Sequence, residues 1–332
     1  MTSEIRQNKA TKQWVIVAPS RGKRPLAFKR QETQSQGLPA VDKDCPFCPG
    51  NEKSLPSIIM ELPGPEGSQW QTRVVPNKFP ALTSDENNVR YRRGLYLAMP
   101  GYGRHEVIIE SPVHNRRITQ MTPKEVGIII ETYHRRYVNV MKQNWNLMTL
   151  IFRNHGRQAG TSLAHPHSQI IVTGMVPTYI RWREERAQYY FDESGRCVYC
   201  DILEQEAQER QRVISENETF LAFVPYAAEV PFEIWIMPTK HQACFSDLSD
   251  QEKPGLAAIL QDCLARLQRK LNDPDYNYII NTAARYRAGE PQLHWYLQIR
   301  PRLTTQAGFE IGSGISINPS LPEEDAAFLR QD

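Results

Sequence analysis

The chain has 332 residues, 40 of them Lys or Arg and 37 Asp or Glu, for a net charge of +3 with histidine neutral. That length suits two domains with a substantial core, and the near balance of charge argues against a nucleic-acid partner, although a local cluster such as Arg21-Gly22-Lys23-Arg24 can hold a small phosphate ligand. The start, Met1 to Arg6, has no apolar signal region and no apolar run approaches a membrane span, so the expectation is a cytoplasmic protein with no membrane partner.

In chain order, the first motif is Asp44-Cys45-Pro46-Phe47-Cys48, followed by Val75-Pro76-Asn77-Lys78-Phe79-Pro80. A strand-like apolar run, His105 to Glu110, leads into Ser111-Pro112-Val113-His114. Thr122-Pro123-Lys124-Glu125 is a capping box with proline at the first helical position. Val126, Ile129, Ile130, Tyr133, Tyr137, Val140 and Met141 then recur at helical spacing. Leu150-Ile151-Phe152-Arg153-Asn154 is strand-like and ends in asparagine. After the stretch from His155 to Ser162 comes His165-Pro166-His167-Ser168-Gln169, running into Ile170-Ile171-Val172. Residues 178–196 are polar, predict a short helix before Ser194-Gly195, and connect two halves.

Each block then recurs. Cys197-Val198-Tyr199-Cys200 repeats the cysteine pair, and Val224-Pro225-Tyr226 echoes Val75-Pro76-Asn77. Phe232 to His241 repeats the run ending in His114. Ser249 and Glu252 predict a second capping box, ahead of a stripe of Leu256, Ile259, Leu260, Leu264, Leu267 and Leu271, with Pro254 expected to distort the first turn. Cys263 falls near this apolar face and reads as a buried small hydrophobe. Tyr278-Ile279-Ile280-Asn281 precedes His294-Trp295-Tyr296-Leu297-Gln298. The offsets are 127 (His114 to His241), 127 (Asn154 to Asn281) and 129 (His165 to His294). So constant a register marks one duplicated α+β unit; a solenoid repeat is far shorter. The predicted division is 1–177, a connection at 178–196, and 197–332.

Structural disulfides are rare in the cytoplasm, and four of the six cysteines lie in Cys-x-x-Cys pairs. A lone pair can also be a redox site or a coincidence, but each copy also carries two histidines at matching places. Zinc takes four tetrahedral ligands. The predicted sites are therefore Cys45, Cys48, His114 and His165, and separately Cys197, Cys200, His241 and His294, the second suiting zinc or iron, or a decayed site. The separations are too long for a zinc finger and point to closed structural sites.

His165, His167 and Gln169 alternate, so a strand carries all three on one face. The second copy replaces the middle histidine with Tyr296, and metal ligation alone gives no reason for that difference. With His165 on metal, His167 keeps a free imidazole. One nitrogen held by a hydrogen bond leaves the other able to attack phosphorus. Gln169 can donate to a phosphate or bridging oxygen without accepting a proton. The loop through Gly160, Thr161 and Ser162 offers backbone donors and hydroxyls for phosphate oxygens. Asn154 suits a ribose or phosphate contact, or a turn cap.

Cys45 to Glu52, Ser111 to His114 and His165 to Gln169 resemble the galactose-1-phosphate uridylyltransferase family of the histidine-triad superfamily, along nearly the whole chain. The resemblance implies two tandem histidine-triad-like domains, each an antiparallel sheet with helices packed on it, the second degenerate. It implies His167 as nucleophile and Gln169 as its partner, where hydrolase relatives have histidine. Nucleotide contacts are implied at Arg21, Gly22, Lys23, Arg24, Asn77, Asn154, Gly160, Thr161, Ser162 and Gln169. The family's hexose-contacting glutamate lies near the tail, where Phe309 to Ile315 puts glycine at or near that place and leaves Phe309 as the candidate contact. The tail from Gly308 to Arg330, the second Cys-x-x-Cys and Ser168 look more like the plant ADP-glucose phosphorylase branch. The implied activity is double-displacement nucleotidyl transfer from a nucleotide sugar, with a hexose 1-phosphate as acceptor, or inorganic phosphate in the phosphorylase alternative. The implied assembly is a homodimer with active sites shared between subunits. A histidine-triad hydrolase and a zinc-stabilised nucleotide-binding protein are the readings of other classes.

Overall fold

Alternating strands and two amphipathic helices dictate a sheet covered on one face. The computed structural model describes residues 2–23, 37–64, 70–85 and 87–331. A hairpin of β1 (Glu4–Gln7) and β2 (Trp14–Val17) comes first, then β3 (Met60–Pro63), β4 (Trp70–Pro76), a second hairpin β5 (Tyr91–Arg93) and β6 (Tyr96–Ala98), and β7 (Gly103–Ile109). Next are α1 (Pro123–Met141), β8 (Met148–His155) and β9 (His167–Thr173). α2 (Thr178–Ser194) leads to α3 (Val198–Glu209), β10 (Val213–Glu216), β11 (Phe220–Phe223), β12 (Ile234–Pro238), α4 (Lys253–Leu271), β13 (Tyr276–Asn281) and β14 (Tyr296–Pro301). The tail holds α5 (Gly308–Ser313), β15 (Ser316–Asn318) and α6 (Pro322–Arg330).

The chain is α+β, as expected, but the two half-sheets are one. The order is β10-β11-β12-β14-β13-β8-β9-β7-β4-β3, antiparallel throughout. The seam is β8 against β13, with Asn154 opposite Asn277 and Phe152 opposite Ile279. Both strands carry apolar residues toward the helices, and each would otherwise present an unpaired backbone edge.

α1 and α4 lie side by side on one face, over Ile108, Ile151, Ile170, Val172, Tyr278, Ile280, Leu297 and Ile299. Burying such a set supplies on the order of 1.5–3 kcal/mol per large side chain before ordering costs. The first helix starts as the capping box predicts. Thr122 Oγ1 accepts from Glu125 N–H at 3.3 Å, and Glu125 accepts from Thr122 N–H at 2.6 Å. The second box is altered: the Ser249 hydroxyl donates to the Glu252 carboxylate at 2.7 Å, and α4 begins only at Lys253. Pro254 causes no distortion, because it sits in the first turn, where an N–H has no intrahelical partner. Cys263 is fully buried on the apolar face of α4, as expected.

The connection holds a helix of 17 residues where a short one was expected; it ends on left-handed Gly195 at φ +68°. The N-terminal hairpin lies on the second half in space, since β2 pairs in parallel with β15. Arg6 ties it there, donating to Glu323 at 2.9 Å and to the Tyr226 carbonyl at 3.1 Å. No helix among the described residues is long and apolar enough to cross a membrane.

α6 anchors the tail through Asp325, which is 2% exposed, accepts from Phe232 N–H at 2.9 Å and takes a hydrogen bond from the Ser320 hydroxyl. Burial pushes this carboxyl up to about 7. A raised folded-state pKa means that its contribution is full below the unfolded value near 4 and is lost as pH rises through 7. Asp325→Asn is therefore expected to stabilise the chain at pH 8 by on the order of 1–3 kcal/mol and to change little at pH 4. Denaturant melts at the two pH values check this, and an equal effect at both would refute it.

Candidate active site

The first Cys-x-x-Cys forms a tight knuckle, with Cys48 N–H on the Cys45 carbonyl at 3.2 Å. The loop after β7 brings His114 to it, and the residues entering β9 bring His165. The four ligand atoms lie within 4.8 Å of one another and all four residues are buried. Cys48 Sγ is 3.4 Å from His114 Nδ1, and both sulfurs are 3.6 Å from His165 Nδ1. His165 Nε2 contacts the Ser111 carbonyl at 2.7 Å, which makes it the proton-bearing nitrogen and leaves Nδ1 a lone pair. Burial pushes the Cys45 thiol up to about 11, a cost that a bound cation offsets.

In the second half Cys197, Cys200 and His241 come together, with Cys200 Sγ 3.2 Å from His241 Nδ1. The expected fourth ligand, His294, is not in this group. Its Nδ1 contacts the Trp295 carbonyl at 2.9 Å, where Nδ1 of His165 contacts the two sulfurs.

His167 opens β9, two residues beyond His165. Its Nδ1–H donates to the His165 carbonyl at 2.8 Å, so Nε2 is the lone-pair nitrogen. Burial pushes the imidazole down to about 4, and the nearby Arg153 guanidinium adds to this. The ring is therefore neutral at neutral pH. Phe47, inside the metal knuckle, packs edge-on against His167 with centroids 5.5 Å apart. The knuckle thus shapes the site as well as the loop.

Beneath β9, Ser168 faces the helices and joins a buried polar cluster. Tyr133 Oη lies 2.5 Å from Glu110 Oε1 and 2.6 Å from Tyr278 Oη, and Glu110 pairs with Arg153. Glu110 and Arg153 are 0% and 3% exposed, so neither charge is tolerable without the other. This cluster was not foreseen; Arg153 inside a strand-like run was its visible sign.

On the open face, polar side chains line up across strands. Asn154 of β8 is opposite Asn277 of β13, which is opposite Arg300 of β14. Continuing the register of β9 places His167 beside Asn154. Strand spacing sets His167 about 14 Å from Arg300. Asn277 donates to Asn154 Oδ1 at 2.8 Å and to the Ala159 carbonyl at 2.9 Å. Beyond lies a cleft of about 950 Å³ lined by Arg21, Gln158, Glu229, Arg300, Arg302 and Glu310, among others. Asn277, Arg300, Arg302 and Glu229 went unread in the sequence, where Asn277 and Arg300 were the polar positions of apolar strands.

The predicted loop donors are mostly spent internally. Gly160 N–H donates to the Arg157 carbonyl, Thr161 N–H to the Gly156 carbonyl, and the Thr161 hydroxyl to the Asn154 carbonyl. Gly160 adopts φ +91°, and a Cβ there would sit 3.7 Å from Asn154 Nδ2. Ser162 is exposed at the loop exit. Asn77 follows β4 and touches His105 Nε2 at 3.2 Å through Nδ2. Arg21 and Gly22 lie in the 3-10 turn Pro19–Lys23, which includes the backbone of Lys23; Arg24 falls outside the described residues. Phe309 is 49% exposed and outside the cleft lining, whereas its neighbour Glu310 is part of it, so the tail does carry a carboxylate.

The same face of the second half is filled. Tyr296, at the place of His167, is buried and stacks on Trp235 with centroids 4.4 Å apart.

A neutral imidazole with one nitrogen free, beside a buried cysteine–histidine group and with the second copy filled, is the arrangement expected of a duplicated nucleotidyl-transfer enzyme. The sequence matches galactose-1-phosphate uridyl transferase, N-terminal domain, over residues 1–177, and the C-terminal domain of the same family over residues 183–307. The chain belongs to this family. It is 35% identical to an ADP-glucose phosphorylase of Arabidopsis thaliana, covering 99% of this chain and 92% of the relative. It is 28% identical to a galactose-1-phosphate uridylyltransferase of Thermotoga maritima, covering 99% and 98%. The crystal structure of the Arabidopsis thaliana ADP-glucose phosphorylase with bound ADP-glucose superposes with a TM-score of 0.84 at 34% identity, covering 99% of each chain.

Proposed function

We propose that the chain transfers a nucleotidyl group by double displacement through His167, between a nucleotide sugar and a sugar 1-phosphate, as a galactose-1-phosphate uridylyltransferase does. The observation that carries this reading is the His167 ring itself: neutral, with Nδ1–H held by a carbonyl and Nε2 left as nucleophile. Nε2 attacks the α-phosphorus, the bond to the bridging oxygen breaks, and sugar 1-phosphate departs. An oxygen of the second phosphate then attacks phosphorus, the P–N bond breaks, and His167 is freed. Gln169 donates to the phosphate, and the cleft lined by Arg21, Arg300 and Glu310 takes the sugar.

A second reading, transfer of adenylyl from ADP-glucose to inorganic phosphate, is favoured by the 35% identity and the TM-score of 0.84 to the plant phosphorylase. Intact mass after incubation with UDP-glucose or ADP-glucose separates the two. A uridylyl adduct supports the first, an adenylyl adduct the second, and no adduct with either sinks the covalent mechanism.

We propose zinc for the first metal group. Zinc bonds of about 2.0–2.3 Å at tetrahedral angles put sulfur and nitrogen about 3.6 Å apart, in line with the 3.4–3.6 Å found. Cys45, Cys48, His114 and His165 would hold it, and when bound it locks the knuckle to the sheet. Cys197, Cys200 and His241 form a second, more open candidate. Unpaired thiols fit a reducing cytoplasm. A homodimer is supported by the apolar residues that the monomer leaves out, with Phe79, Leu95 and Ile311 more than 70% exposed.

The filled second half carries its own prediction. Placing histidine there, as Tyr296→His in a His167→Ala background, is expected to produce no nucleotidyl adduct, because Trp235 stacks on that position and buries it. An adduct by intact mass would show that the pocket is open.

A further inference from the structure

A glutamine side chain offers donors at one end and an acceptor at the other, so its neighbours decide which end meets a substrate. In the first half that neighbour is His105 on β7. Val107 is opposite Gln169, and His105 is two residues along on the same face. Ala81 N–H donates to His105 Nδ1 at 3.1 Å. An imidazole carries at least one ring proton, so with Nδ1 accepting, Nε2 bears it. Nε2–H then donates to Gln169 Oε1 at 2.7 Å, and the Asn77 amide nitrogen 3.2 Å from the same atom is a neighbour that a protonated Nε2 does not accept from. With Oε1 held, the amide nitrogen of Gln169 is the end left for a ligand.

The second half provides the contrast within the same chain. Trp235 is opposite Gln298, and Glu233 stands two residues along, where His105 stands in the first half. Glu233 can only accept when ionised. Gln298 Nε2 donates to it at 2.7 Å, while Asn281 donates to Gln298 Oε1 at 3.2 Å. The amide is turned end for end, and one of its two N–H donors is taken by Glu233. Histidine at one copy and glutamate at the other thus set opposite orientations of the same glutamine.

We propose that His105 is a positioning residue for nucleotidyl transfer: it fixes the Gln169 amide so that its N–H faces the phosphate handled by His167. This rests on the reading of His167 as nucleophile. His105 touches no reacting atom; it acts through Gln169, and the Ala81 backbone sets its tautomer.

The test is the single-turnover rate of nucleotidyl adduct formation, with the KM for the nucleotide sugar measured alongside. His105→Glu copies the second half and is expected to slow the adduct about 100-fold, on the scale of losing one donor to a developing phosphate charge. KM should move only a few-fold. Gln169→Met should slow it equally, and His105→Glu should add nothing in the Gln169→Met background, since both changes remove one interaction. His105→Gln keeps a donor near the Nε2 position and should recover to within about tenfold of wild type. If His105→Glu melts early, His105→Met replaces it, removing the donor without adding charge. Multiplying effects in the double variant, or equal losses for His105→Gln and His105→Glu, would overturn the assignment. If the wild-type chain forms no adduct, the reading of His167 fails and the proposal falls with it. Adducts in wild type together with multiplying effects would remove the positioning role alone.

Discussion

A chain carrying His167→Ala is expected to lose nucleotidyl transfer by about 10⁴-fold or more, because a covalent route cannot proceed without its nucleophile. Gln169, Asn154 and the cleft remain, so binding of the nucleotide sugar should persist. Folding should persist as well. The imidazole makes one hydrogen bond, to the carbonyl two residues before it, and an edge contact with Phe47. Losing them costs about 1–2 kcal/mol, too little to unfold a core of this size. Turnover and intact mass measured on wild type and variant together give the answer. A variant that keeps even a hundredth of the wild-type rate would mean that another group, or water, attacks phosphorus.

The second large effect belongs to the first metal group. Cys48→Ala is expected to remove the metal and to lower stability by about 3 kcal/mol or more. The knuckle from Asp42 to Asn51 is held by contacts converging on Cys45 and Cys48, including Asp42 N–H on Cys48 Sγ at 3.3 Å and Asn51 on the Cys45 carbonyl at 2.7 Å. Transfer should fall in step, since the carbonyl of His165 orients His167 and Phe47 packs on its ring. Thermal melting with a strong chelator, elemental analysis and recovery on adding zinc check this. Melting and activity that survive both Cys48→Ala and chelation would make the four residues a buried cluster without a metal role.

The grouping of residues was the most legible part of this chain. The Cys-x-x-Cys pair and the duplicated histidines pointed to His114 and His165 beside Cys45 and Cys48, and those four do converge, with His167 outside the group. The helix starts were legible as far as local rules reach. Thr122 and Glu125 form the full box, whereas Ser249 and Glu252 make only a carboxylate-centred version, since α4 starts beyond them. What stayed hidden is non-local. Pairing of β8 with β13 leaves no mark in either strand, and neither does the pairing of β2 with β15. His105 read as the first residue of an apolar run, and only the fold brings it beside Gln169. His294 matched its counterpart by register, yet its Nδ1 meets a carbonyl where that of His165 meets sulfur, and register carries no information about which partner a ring nitrogen finds. The loop at Gly160 looked rich in donors because a sequence does not say which donors are already taken.

The β8–β13 seam has a consequence for how the two halves depend on one another. A first half by itself would end in β8, an open strand eight residues long with apolar residues facing the helices. Such an edge recruits another strand, and the geometrically matched partner is β8 of a second copy, antiparallel across a two-fold axis. The present chain has the form of that dimer written into one polypeptide. Once both partners share a backbone, only one needs a working histidine. The second half then serves as a permanent cover for the β8 edge, with Tyr296 stacked on Trp235 closing its own open face.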